Sequence, residues 1–121
     1  MRQLEKEKQK KEHILVCLSS SPSNEKIIRT AAQMAQAFQA GFTALYVQTA
    51  EKTEKTPEDL ARLQKHVRLA EQSGAEIVTI HSEDIALQIA EYARISEVTR
   101  IVIGKSMMKQ GYFHQRRVWT E

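Results

Sequence analysis

Little in this sequence can staple, span or stack. Its 121 residues hold one cysteine, one tryptophan, two prolines and four glycines. A lone thiol, Cys17, closes no internal disulfide, and its place inside an apolar run marks it as a small core residue. No apolar stretch approaches the roughly 20 residues a membrane helix needs, and no signal-peptide pattern opens the chain, so a cytoplasmic setting is expected. Aromatics are few and the formal net charge of +3 is concentrated at the two ends. Both observations argue against a basic stacking surface for nucleic acid. The length allows one domain with a real core and no second one.

What is present is an alternation of apolar strands and amphipathic helices. His13 to Leu18 (HILVCL) is an almost unbroken apolar run, the pattern of a central parallel strand covered on both faces. It stops at Ser19-Ser20-Ser21-Pro22-Ser23-Asn24. Proline favours the first helical position and its predecessor avoids helical dihedrals. Ser21 is therefore the expected N-cap and Pro22 the first helical residue, with Ser23 and Asn24 as alternative caps. Ile27, Ile28, Ala31, Met34, Ala35 and Phe38 follow at helical spacing, and Gly41 stands where a helix-ending glycine belongs. Phe42 to Val47 reads as a second buried strand.

Thr56-Pro57-Glu58-Asp59 restarts a helix with a threonine cap, proline in first position and acids in the first turn. Leu60, Leu63, Val67 and Ala70 are its expected apolar stripe, His66 a boundary or surface histidine beside it, and Gly74 its end. A third strand is expected over Ala75–Ile80, a third helix from about Asp84 to Glu97 with Ile85, Ile89, Tyr92 and Ala93 inward, and a fourth strand over Arg100–Gly104. Residues 1–12 read as a charged linker or helical extension, and 112–121 show no clear periodicity and take no assignment. The order predicts an α/β domain over residues 13–111. Its sheet is parallel, doubly wound and Rossmann-like, in three layers, with at least four strands and helices on both faces. The loops at Ser19–Asn24, Tyr46–Gln48, His81 and Gly104–Gln110 then share the edge where open α/β sheets bind ligands. Serine hydroxyls and helix-mouth amides at that edge suit an anion.

Taken together, this order resembles the universal stress protein domain, an adenine-nucleotide-binding α/β fold. Ile14-Leu-Val-Cys-Leu-Ser-Ser-Ser-Pro, Phe42-Thr-Ala-Leu-Tyr-Val and Arg100-Ile-Val-Ile-Gly-Lys-Ser resemble more narrowly the stress-protein domain of KdpD-type potassium-responsive sensor histidine kinases. The likeness runs from His13 to Ser106. Members that bind cyclic di-AMP carry Ser-x-Ser, twenty residues, then Phe-Thr-Ala-x-Tyr. Here Ser19-x-Ser21 is followed by the twenty residues from Pro22 to Gly41 and by Phe42-Thr43-Ala44-Leu45-Tyr46, so every fixed position matches. The resemblance implies that Ser19, Ser21, Phe42, Thr43, Ala44 and Tyr46 belong to a cyclic di-AMP site. It also implies a non-catalytic sensory role regulating potassium uptake through the kinase's other domains.

Residue chemistry is compatible with such a ligand. Ser19, Ser21 and the first helix's amides can satisfy phosphate oxygens, Lys105 adds a charge and Ser106 a hydroxyl. Tyr46 offers a face for adenine, and backbone near Ala44 to Val47 can read its edge. His81 sits at a strand's carboxyl end, within reach of the same edge. Phe42 and Thr43 start their strand, far from that end, so packing is an alternative role for them. Two departures from the family pattern stand out. The Gly-x-x-Gly, nine residues, Gly-Ser/Thr loop of ATP-binding members is missing, since Gly104 is followed by Lys-Ser-Met and the next glycine is Gly111. That argues against ATP binding of the family type. The residues after Gly111 are too few for a last helix and a fifth strand together, which leaves either an early stop or an uncovered edge on the fourth strand and keeps homodimerisation open. A ligand-free interaction module is the competing class. No carboxylate cluster, metal-ligand spacing or nucleophile–base pair speaks for an enzyme.

Overall fold

A computed structural model describes residues 11–49 and 56–105 and the backbone of 118–120. The elements are β1 (His13–Cys17), α1 (Asn24–Phe38), β2 (Gly41–Gln48), α2 (Pro57–Gln72), β3 (Glu76–His81), α3 (Ile85–Ile95), β4 (Arg100–Ile103) and β5 (Val118–Thr120). The sheet order is β3-β2-β1-β4-β5, and every adjacent pair is parallel. β1 is the middle strand. Because successive side chains alternate, Ile14, Val16 and Leu18 face α1 and α2, while Leu15 and Cys17 face α3. Helices thus cover both faces, which is why Ile14 to Cys17 are all apolar.

The fifth strand is a difference from expectation. Val118, Trp119 and Thr120 pair in register with Ile101, Val102 and Ile103, so the edge of β4 is covered rather than open. A three-residue strand carries no period of its own; only the neighbouring ladder defines it.

Helix ends show where local signals held and where packing overrode them. α2 begins as expected: Thr56 accepts from the Asp59 amide and Asp59 accepts from the Thr56 amide, a reciprocal capping box with Pro57 at the start. Gly74 follows its end at φ 97°, a left-handed conformation suited to glycine. α3 is capped by Asp84, which accepts from the Leu87 amide. Its expected inward residues Ile85, Ile89, Tyr92 and Ala93 do pack on the sheet.

α1 departs from the prediction at both ends. It starts at Asn24 rather than Pro22, with Ser23 in the cap position and no side-chain cap. Ser21 instead closes a separate turn, its carbonyl accepting from the Asn24 amide and its hydroxyl from the Ser23 amide. At the far end Gln39, not Gly41, takes the left-handed position at φ 51°, and the Ala40 amide reaches back to the Ala35 carbonyl. Gly41 is already in β2. Two expected core residues are exposed. Phe38 lies at the last turn of α1, where Arg100 stacks over its ring at 4.6 Å, and Leu60 lies in the first turn of α2, beyond the sheet's cover.

Candidate functional site

Parallel strands bring all their carboxyl ends to one edge. From β1 the chain winds outward through β2 and β3, then returns through α3 to β4 on the other side of β1. The strand order therefore reverses between β1 and β4, the switch point at which open α/β sheets form their ligand crevice. The serine loop, 19–23, lies on one side of that switch point and Gly104-Lys105 on the other.

The serine loop is organised from beneath by Asn24. Its side chain is buried; Nδ2 donates to the Cys17 carbonyl at 3.0 Å and Oδ1 accepts from the Ser19 amide at 3.1 Å. Above it, the Ser19 hydroxyl accepts from the Ser21 amide at 3.2 Å, and the Ser21 and Ser23 hydroxyls are 3.0 Å apart. A hydroxyl that accepts one bond keeps its own O–H as a donor. Ser19 thus retains a proton to give to an anion, with the start of α1 adding its positive end. Glu25 in that first turn is partly exposed, and its bond to Arg29 holds its carboxyl below the usual range.

The other expected residues divide by position along their strands. Tyr46 stands near the carboxyl end of β2, half-buried on the α1–α2 face, and burial raises its phenol above the ordinary 10.0. Val47, its neighbour, faces α3, and Ala44 is fully buried mid-strand. Phe42 and Thr43 lie at the amino end of β2. Phe42 packs in the core beneath α1. Thr43 is bonded to His13 at 2.9 Å, and the other ring nitrogen of His13 meets the Ser96 carbonyl at 3.0 Å. His81 is the exposed last residue of β3, paired with Gln48, two strands or roughly 10 Å from β1. Lys105 is exposed beside Gly104; Ser106 lies outside the described residues. The edge thus gathers Ser19, Ser21, Tyr46, Val47 and Lys105, with His81 at its margin, and separates Phe42 and Thr43 from them.

Two residues of α2 join the loop without having been expected there. His66 is 2% exposed, not a boundary residue, and its Nδ1 lies 2.8 Å from the Ser19 carbonyl. Arg62 donates Nη1 to the Ser20 carbonyl at 3.0 Å and to Asp59 at 3.1 Å. The signal available in the sequence was their spacing: Arg62, His66 and buried Ala70 follow one another at four-residue intervals on one helix face. His66 faces, through Nδ1, a carbonyl rather than a serine hydroxyl. Among the described residues, no group of three His, Cys, Asp or Glu side chains could hold a metal ion, and no helix is long and apolar enough to cross a membrane. Serine hydroxyls, helix-mouth amides and the Lys105 cation thus lie along the carboxyl edge of the sheet.

Residues 11–110 match the model of the universal stress protein family. A sensor protein KdpD of Clostridium acetobutylicum is 42% identical over 100 residues, 83% of this chain, and that of Escherichia coli is 30% identical over 93 residues, 76% of this chain. The chain spans only about a tenth of the length of these curated relatives. Among solved structures, a universal stress protein from Archaeoglobus fulgidus superposes with a TM-score of 0.67 at 19% identity, covering 97% of this chain and 98% of that one. One from Burkholderia pseudomallei gives 0.66 at 21%, covering 91% and 95%. The Archaeoglobus protein in complex with dAMP gives 0.62 at 19%, covering 90% and 96%. This chain belongs to the universal stress protein family.

Proposed function

We propose that this domain is a non-catalytic sensor that binds cyclic di-AMP at the carboxyl edge of its sheet. Within a KdpD-type kinase, binding would modulate potassium-uptake signalling through the kinase's other domains. The observation that carries the reading is the serine loop. Ser19 and Ser21, the first half of the Ser-x-Ser…Phe-Thr-Ala-x-Tyr pattern, sit at the switch point, with Tyr46, the last residue of that pattern, near the end of the adjacent strand. The dAMP held by the Archaeoglobus relative supports an adenine nucleotide as the ligand class, and the likeness to KdpD proteins supports the signalling context. In the bound state Ser19 and Ser21 donate to phosphate, Lys105 neutralises charge, and Tyr46 stacks on one adenine, a contact worth roughly 1–3 kcal/mol.

Titration calorimetry with cyclic di-AMP, cyclic di-GMP and ATP tests this. A clear preference for the first is expected, weakened by Ser21→Ala and by Tyr46→Ala. Equal or absent affinity for all three nucleotides would refute it, and tighter binding of ATP would return the domain to the mononucleotide type.

A further inference from the structure

We infer that Arg62 and His66 of α2 are positioning residues for the serine loop, holding its Ser19 and Ser20 carbonyls against α2 and so keeping them from the crevice. The inference rests on the ligand reading above only for its consequence in binding; its geometric basis is separate. A trans peptide holds its C=O and the following N–H on opposite sides of one plane. His66 takes the Ser19 carbonyl at 2.8 Å, so the Ser20 N–H must point away from α2. Arg62 takes the Ser20 carbonyl at 3.0 Å, so the Ser21 N–H also points away, where the Ser19 hydroxyl receives it. A carbonyl facing the crevice would repel phosphate; both are removed from it by donors. The ring assignment follows from chemistry, because a carbonyl can only accept and Nδ1 must therefore carry the proton.

Each donor is itself held. Arg62 is braced by Asp59, whose carboxylate is part of the capping box with Thr56. His66 is enclosed between α1 and α2, beside Glu25, Arg29, Lys65, Arg68 and Leu69. A half-buried arginine on a capped helix is a firm support for a loop whose own bonds are local and exposed.

The test compares wild type with Arg62→Met, Arg62→Lys and His66→Leu. It reads cyclic di-AMP affinity by calorimetry and the Ser20 and Ser21 amide signals of the free proteins by NMR. Arg62→Met is expected to move both amide signals and to weaken binding about tenfold, as loss of a charged hydrogen bond does. Arg62→Lys, which keeps a donor, is expected to restore most of each. His66→Leu is expected to act in the same direction; because that site is buried, Arg62→Met carries the decision if the leucine variant does not fold. Unchanged amide signals with binding within twofold of wild type in Arg62→Met would overturn the inference. Should wild type itself not bind, the ligand reading fails alone, and the amide signals then decide the positioning role.

Discussion

The buried side-chain amide of Asn24 donates to the carbonyl of Cys17 at 3.0 Å, tying the first turn of α1 to the last residue of β1. The same side chain accepts from the Ser19 amide, so one residue sets the angle at which the serine loop leaves the sheet. Asn24→Ala is expected to orphan both backbone groups and cost about 1–3 kcal/mol in urea unfolding. Asn24→Asp should be no better, since a carboxylate cannot donate to the Cys17 carbonyl.

Thr43 of the Phe-Thr-Ala-x-Tyr stretch is bonded to His13 at the amino end of β2. The Ser96 carbonyl fixes the proton on His13 Nδ1, so Nε2 accepts the Thr43 hydroxyl. Thr43→Val keeps the shape and removes that donor. Stability is expected to fall by about 1 kcal/mol, while cyclic di-AMP affinity stays within twofold of wild type. A large loss of affinity without a loss of stability would instead put Thr43 in contact with the ligand.

Alkaline pH should weaken the fold through Cys17. Burial pushes its thiol from the ordinary 9.0 up to about 12. Above pH 9 the unfolded chain releases this proton and the folded one keeps it, so the stability present below that pH is lost as pH rises toward 12. The slope approaches about 1.4 kcal/mol per pH unit for one group, and the raised Tyr46 phenol acts in the same direction. Urea midpoints from pH 8 to 11 should fall more steeply for wild type than for Cys17→Ala; parallel curves would contradict this.

Gly104 follows β4 and lies against α1. A Cβ there would lie 3.3 Å from Ile27 Cδ1, a tight contact with the flexible tip of a buried side chain. Gly104→Ala is expected to cost about 1 kcal/mol. Trimming that tip with Ile27→Val should make the two changes less costly together than their sum, a coupling that a double-mutant cycle in urea measures.

The parallel doubly wound sheet, its helices on both faces and the capping box of α2 were all written in local patterns. An apolar run such as 14–18 has one economical use in a chain of this length, as a strand covered twice, and Thr56-Pro57 with Asp59 is a complete start signal within four residues. The serine loop was legible for the same reason: strand, polar break and helix are contiguous. Contacts between residues far apart in sequence were not. His66 had the spacing of a core residue and the chemistry of a surface one, and only the carbonyl of Ser19, 47 residues away, accounts for its burial. Asn24 read as an alternative cap to Ser21 because asparagine caps helices, yet a deeper partner in β1 claimed its side chain. β5 is too short for any period and exists through the free edge of β4. Local propensity and periodicity determined the three helices and the first four strands. Which polar groups meet was decided by tertiary packing, because a buried donor takes whatever acceptor the folded backbone brings within about 3 Å.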